Sequence, residues 1–408
     1  MNVVEAIRAN ADAYSGYIAV KDGDVEFNYS RFYARVDSLS QAFIAQGVSK
    51  GDVIFAWLPN SYHAIEMEIA CLQIGAIWVT LHAGLTWYEI QTVIFSTSPA
   101  LAVVHDDLWS SDASQSFEES GIACFHASSS PETASPHTKG ARHFDYEQMI
   151  AGHDAVRPET SISSEDPARL RYTSGTTGRA KAAILPHRVY MCSLQNLTSE
   201  VHDLSPEDNV LHAAPLTHAA GALVFPVLAA GGTNVLLPRF EAESVLATIE
   251  REKISLMFAV PTMLLRLFES PGIADADVSS IRTLSYGGAP MPVEPLNGVI
   301  ERIGTSLLQI YGLTEATHPI TTLQHAEHRA RNPKLGSIGK CTPFCTIRLL
   351  DDEGQEVAPG EVGEMVVSGD NTMSGYWNDT EATDEVLEDG WVYTGDLAYC
   401  DADGYYWI

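Results

Sequence analysis

Tyr172-Thr173-Ser174-Gly175-Thr176-Thr177-Gly178-Arg179-Ala180-Lys181 is a hydroxyl- and glycine-dense run that closes on a lysine, just after the polar segment Ser161 to Asp166. Its glycines let the backbone come close to an anion, its threonines and serine offer hydroxyl donors, and Arg179 and Lys181 add positive charge. The run reads as a phosphate grip. It is not a Walker loop, which needs G-x-x-x-x-G-K-[ST] opening a helix. Here Gly175 and Gly178 stand three apart, and Lys181 leads into Ala182-Ala183-Ile184-Leu185, a strand pattern. A loop between two strands is therefore expected. A polar hairpin whose glycines serve turn geometry alone would look the same, and the rest of the chain has to separate the two.

On either side of this run, apolar strands alternate with helical patterns. Tyr29 to Gln46 carries Phe32, Val36, Leu39 and Phe43 at helical spacing, and Gly47 to Asp52 turns the chain into the strand Val53-Ile54-Phe55-Ala56-Trp57-Leu58. A second helix, Tyr62 to Ile74, ends at Gly75 and precedes the strand Ala76-Ile77-Trp78-Val79-Thr80. This is the β-α-β rhythm of a doubly wound sheet with buried parallel strands. Ser110 to His143, rich in Ser, Ala, Pro and His, reads as a loose surface connection; Val210 to Leu308 resumes the α/β rhythm. From about Leu335 short strands with glycine turns take over, at Ile347 to Gly354 and Gly363 to Gly369, as in a small antiparallel barrel or meander. The expected fold is two doubly wound α/β subdomains over about 1–334 and a small β-barrel subdomain over about 335–408.

The 408 residues carry 24 Lys+Arg against 53 Asp+Glu, a formal charge of −29. Such a surface argues against non-specific binding to nucleic acid or anionic membrane. A bound polyanion must be held locally, by Arg179, Lys181, backbone N–H groups and a divalent cation. The cysteines Cys71, Cys124, Cys192, Cys341, Cys345 and Cys400 are scattered without a zinc pattern. Met1 to Arg8 lacks the basic and apolar regions of a secretory signal, and no run of about 20 apolar residues offers a membrane span. A cytoplasmic protein with reduced, mostly buried thiols is expected.

Further clusters carry candidate chemistry. In Ala214-Pro215-Leu216-Thr217-His218-Ala219-Ala220-Gly221 a histidine stands among small residues, where a satisfied structural imidazole is the plainer account. Leu284 to Pro292 is a strand ending in Gly287 and Gly288; a turn explains them, and a flat ligand stacking on that backbone needs the same missing side chains. Gln309-Ile310-Tyr311-Gly312-Leu313-Thr314-Glu315-Ala316 ends a strand in a tight turn with a hydroxyl and a carboxylate, and ligands of α/β sheets bind beyond the carboxyl ends of strands. Gly390 to Leu397 places Asp396 after a glycine, either as a turn former or as an acceptor for the two hydroxyls of a ribose.

Taken together and in this order, the segments resemble the adenylate-forming superfamily of acyl-CoA synthetases, aryl-acid and 4-coumarate ligases, luciferases and peptide-synthetase adenylation domains. The likeness covers nearly the whole chain. It implies that Thr173, Ser174, Gly175, Thr176, Thr177, Gly178 and Lys181 hold the phosphates of ATP, with Thr176 and Glu315 as ligands of Mg²⁺. Gly287, Gly288, Ala289 and Gly312 would frame the adenine, Tyr311 would stack on it, Thr314 would bind the α-phosphate and Asp396 the ribose. His218, Ala219, Ala220, Gly221 and Val224, with Gly287 and Gly288 opposite, would line the acyl pocket and the thioester tunnel.

The implied reaction has two halves. A carboxylate attacks the α-phosphorus of Mg·ATP, giving an acyl-adenylate and pyrophosphate, and a thiol, usually that of coenzyme A, then displaces AMP. Small residues after His218, and no acid to recognise an amino group, favour a medium or long acyl chain or a ring-bearing acid over an amino acid. Aliphatic and aromatic acids remain alternatives. So do loading of a carrier protein's phosphopantetheine thiol, and a truncated, non-catalytic module that binds nucleotide or acyl-adenylate. The chain departs from the family at Ala180 and Ala182, where proline and glycine usually flank the loop lysine. Relatives also continue past the position of Ile408 into a mobile C-terminal domain that brings a catalytic lysine, so this chain alone is expected to turn over very slowly.

Overall fold

The computed structural model describes residues 2–81, 83–138, 142–173, 180–200, 203–304 and 306–408. Its framework is two large, mostly parallel sheets whose helices pack between and around them, and a curled antiparallel sheet at the C-terminal side. The helix Tyr29–Ala45 starts where the Asn28 side chain accepts from Arg31 N, and its stripe Phe32, Val36, Leu39 and Phe43 is buried. Each such side chain contributes about 1.5–3 kcal/mol of burial. Tyr62–Ile74 is buried on all sides and stops at Gly75, whose φ of 72° favours glycine. Both helices, with Tyr146 and Phe225, fill the main core between the sheets.

The first sheet has seven strands in the order His143–Asp145, Ala123–Ala127, Leu101–His105, Val53–Trp57, Ile77–Thr80, Pro167–Tyr172, Ala182–Pro186. Only the last pairing is antiparallel, with Tyr172 opposite Ala182, so the phosphate-grip run does connect two strands. The second sheet has nine strands. Leu307–Tyr311, Thr283–Gly287, Leu256–Ala259, Asn209–His212, Thr233–Leu236 and Ile18–Asp22 run parallel; Val25–Asn28 closes one edge, and Thr321–Leu323 and Lys340–Cys341 the other, antiparallel. Cys345–Leu350, Gly363–Gly369, Trp391–Cys400, Leu387–Glu388 and Tyr406–Trp407 make the curled sheet.

The expectation for Ser110 to His143 needs correction. That stretch holds the helix Ser111–Ser120 and the fully buried strand Ala123–Ala127. The helix buries only Ala113 and Phe117, so its serine-rich outer face looked like a connection, and the strand's Cys124 and His126 disguised a core segment. A second difference lies at the N-terminus. Ile18–Asp22, which the sequence reading did not single out, joins the nine-stranded sheet beside Thr233–Leu236.

Candidate active site

Strand ends from both large sheets and one loop from the curled sheet meet around a cavity of about 670 Å³. At the edge of the first sheet, Thr173 N donates to Lys181 O at 2.9 Å and Lys181 N donates to the Thr173 hydroxyl at 3.4 Å. These bonds pin both ends of the intervening loop. Ser174, Gly175, Thr176, Thr177, Gly178 and Arg179 lie outside the described residues. The Lys181 ammonium sits 5.3 Å from the centre of the Tyr376 ring and 3.7 Å from Glu385.

From the second sheet, Leu307–Tyr311 delivers Gly312, Leu313, Thr314 and Glu315 to the cavity wall. A side chain at Gly312 would strike the His318 backbone at 2.6 Å, so the turn requires glycine. Glu315 is fixed on its backbone by Met373 N at 2.8 Å and on its carboxylate by the Tyr376 hydroxyl, which donates at 2.6 Å. Burial first, then this acceptor, raises the Tyr376 hydroxyl above the usual phenol range, so it stays a donor. The second carboxylate oxygen of Glu315, on the cavity wall, is a hard-oxygen donor of the kind that suits Mg²⁺.

The curled sheet supplies Asp396. The Tyr311 hydroxyl donates to its Oδ2 at 2.5 Å, and Asp396 N donates to the Thr394 hydroxyl at 3.1 Å. Gly395, at φ 74°, forms a bulge where the register between Gly363–Gly369 and Trp391–Cys400 shifts, and its N–H donates to Glu364 at 3.0 Å. The bulge turns Asp396 toward Tyr311 instead of along the sheet.

Of the residues singled out in the sequence, Thr173, Lys181, His218, Ala219, Ala220, Gly288, Gly312, Thr314 and Glu315 all line this one cavity. Tyr311 and Asp396 are bonded to each other next to it, with Thr394 on its wall. The remaining described ones are not on its wall. Ala289 is exposed, Val224 is buried in the main core, and Gly221 borders a smaller space behind. Gly287 and Gly221 have packing reasons for their missing side chains: a Cβ would come within 2.0 Å of Ile310 O and 2.1 Å of Leu216 O respectively.

Sequence reasoning missed Tyr376, His318 and Arg171, all on the cavity wall. Tyr376 reaches Glu315 across 61 positions, and no local pattern announces such a contact. His318 donates from Nε2 to Ala219 O at 3.2 Å, and burial lowers its pKa to about 3, so it is a neutral positioning group. A charged residue inside the apolar strand Pro167–Tyr172 was the available signal for Arg171.

The model of a family described as AMP-binding enzyme matches residues 7–377. A feruloyl-CoA synthase of Amycolatopsis sp is 35% identical over 392 residues, 96% of this chain and 74% of that protein. An indoleacetate–CoA ligase of Aromatoleum aromaticum is 32% identical over 413 residues, 100% of this chain and 78% of that protein. Among solved structures, the amide bond synthetase McbA of Marinactinospora thermotolerans superposes with a TM-score of 0.88 at 29% identity, over 100% of this chain and 78% of that one. ATP-bound MatB of Rhodopseudomonas palustris does so with 0.87 at 25%, over 100% and 78%. The chain belongs to the AMP-binding, adenylate-forming enzyme family. That family assignment supports an ATP-using acid–thiol ligase. No helix among the described residues is long and apolar enough to cross a membrane.

Proposed function

We propose that the chain converts a carboxylic acid and ATP into an acyl-adenylate and pyrophosphate, and that the acyl group then passes to the thiol of coenzyme A. The observation that carries this reading is the convergence of Thr173, Lys181, Thr314 and Glu315 on one cavity, which His218, Ala219 and Ala220 also line. Lys181 and the Thr173 end of the loop would bind the outer phosphates, Thr314 the α-phosphate, and Asp396 the ribose hydroxyls. Mg²⁺ held by Glu315, with Thr176 as the second expected ligand, would neutralise phosphate charge. Positioning and charge stabilisation supply the rate, and no covalent nucleophile is required.

The acid would lie against His218, Ala219 and Ala220, with Phe258 and Val260 offering apolar contact. Relatives that carry the names feruloyl-CoA synthase and indoleacetate–CoA ligase support a ring-bearing acid. We also propose that the chain divides near residue 334, although the edge strand Lys340–Cys341 still pairs with the nine-stranded sheet and the curled sheet starts at Cys345. The test is calorimetry with acyl-sulfamoyl adenosines. Binding of a matching conjugate far more tightly than of AMP supports adenylation, and conjugates that bind no better than AMP would overturn it.

A further inference from the structure

Three cysteines meet where the helix His187–Glu200 packs against the entry to the curled sheet. Cys192 is buried on that helix, and its Sγ lies 3.7 Å from O of Phe344, the residue just before Cys345. One turn further along, Asn196 Nδ2 stands 3.7 Å from Cys192 Sγ and 3.5 Å from Cys345 Sγ, so a single amide touches both sulfurs. The two thiols also hydrogen-bond each other. Phe344 N donates to Asn196 Oδ1 at 3.3 Å, which holds the two elements together.

The surroundings of the sulfurs differ. Cys345 is only part-buried, and the Thr342 hydroxyl stands 3.3 Å from its sulfur. The hydrogen bond from Cys192 lowers the Cys345 pKa to about 7 against the effect of burial, and Thr342 and Asn196 lower it further. Cys341 faces acceptors instead, O of Cys345 at 3.4 Å and O of Thr342 at 3.6 Å, and burial first, then Cys345, raises its thiol to about 12. Burial likewise raises Cys71, Cys124 and Cys400. All the cysteines are among the described residues, and Cys345 is the one held toward its thiolate.

A part-exposed thiolate with a second thiol beside it is the arrangement that peroxides oxidise. We propose that Cys345 is a site of oxidation by hydroperoxides and that Cys192 then closes on it as a disulfide, strapping the curled sheet, which carries Asp396, to the helix His187–Glu200. The Cys345 thiolate attacks the outer oxygen of the hydroperoxide, the O–O bond breaks, and the alkoxide or hydroxide that leaves takes up a proton from water. A sulfenic acid remains on Cys345. Cys192 Sγ then attacks the sulfenic sulfur; the S–S bond forms, the S–O bond breaks, and the departing hydroxide takes the Cys192 proton away as water. Two electrons pass from the two sulfurs to the peroxide. Only Cys345 has to be reached from solvent, and the buried Cys192 reacts from inside.

The experiment is peptide mapping of the chain after exposure to hydrogen peroxide, with iodoacetamide to cap free thiols and dimedone to trap sulfenic acid. The expected result is the loss of two free thiols, a mass lower by about 2 Da, and one cross-linked peptide pair that joins Cys192 to Cys345. Dithiothreitol should restore both thiols. In Cys192→Ser the sulfenic acid has no partner, and Cys345 should carry dimedone. In Cys345→Ser, Cys192 should stay free, a result that a packing role alone would not give. Three results on the unaltered chain would overturn the proposal, whether or not the variants fold: Cys345 still open to iodoacetamide after peroxide, Cys345 oxidised without a link, or Cys345 linked to Cys341.

Discussion

The Tyr311 hydroxyl donates to Asp396 at 2.5 Å, joining the end of a strand in the nine-stranded sheet to the bulge of the curled sheet across 85 positions of sequence. One short bond thus sets the position of the curled sheet's acid relative to Thr314 and Glu315. Burial followed by the Asp396 contact raises the Tyr311 phenol above its usual range, so it remains a donor at any ordinary pH.

Asp396→Asn is expected to weaken AMP binding by about tenfold or more, because a neutral amide accepts ribose hydroxyls less well than a carboxylate. Tyr311→Phe should cost less, about threefold to tenfold, since Asp396 keeps its Thr394 bond. Calorimetry with AMP checks both, and an Asp396→Asn chain with unaltered affinity would place the ribose elsewhere.

Tyr376→Phe removes the bond that orients Glu315 without touching its charge. The Mg²⁺ concentration needed for half-maximal ATP binding should rise about threefold to tenfold. Glu315→Gln should raise it further. If Tyr376→Phe matched the unaltered chain, the orientation of Glu315 would not depend on the tyrosine.

Burial holds several histidines neutral, with pKa values lowered to about 3 at His126 and His318 and about 4 at His187, His212 and His328. In the unfolded chain each titrates near 6.5. The unfolded state therefore binds more protons between about pH 6.5 and 4, and stability present above 6.5 is lost as pH falls, by about 1.4 kcal/mol per unit for each group. The melting temperature should drop steeply between pH 6.5 and 5. A flat profile there would show that these imidazoles protonate in the folded state.

Asp22 titrates in the opposite sense. Burial raises its pKa to about 6, partly offset by the Tyr62 N–H. The folded state then holds the proton more tightly than the unfolded chain, and stability falls as pH rises from about 4 to 6. Asp22→Asn should stabilise the chain at pH 7, by at most about 3 kcal/mol, and have little effect at pH 4. Urea midpoints at the two pH values measure it; equal gains at both would mean that packing, not charge, is responsible.

Gly287→Ala should destabilise the chain by more than about 2 kcal/mol, because the added carbon meets Ile310 O at 2.0 Å in the adjacent strand and one of the two must shift. Gly298→Ala, which meets nothing within 4 Å on the exposed side of its helix, is the control and should be neutral or stabilising. Similar midpoints for the two variants would remove the packing account of Gly287.

Local chemistry was the legible part. Helix stripes such as Phe32 to Phe43, the stop at Gly75 and the loop between Tyr172 and Ala182 follow from periodicity and turn residues that neighbours alone decide. The strand Ala123–Ala127 was not legible, because buried histidine and cysteine carry no periodic signal and its flanking helix is mostly solvated serine and acid. At the site, glycine and hydroxyl clusters marked the cavity wall, whereas Tyr376 and Arg171 needed tertiary structure. The importance of Tyr376 comes from what stands beside it, Glu315.

The position of Ile18–Asp22, parallel to Thr233–Leu236 and paired at Val20 with Asn234, has a consequence for synthesis. A ribosome delivers this strand and its hairpin partner Val25–Asn28 on the order of 200 residues before the strand that receives them. At ordinary elongation speeds the hairpin waits roughly ten to forty seconds for that strand. The hairpin is thus made well before the strand that receives it, and the nascent chain needs shelter during that interval.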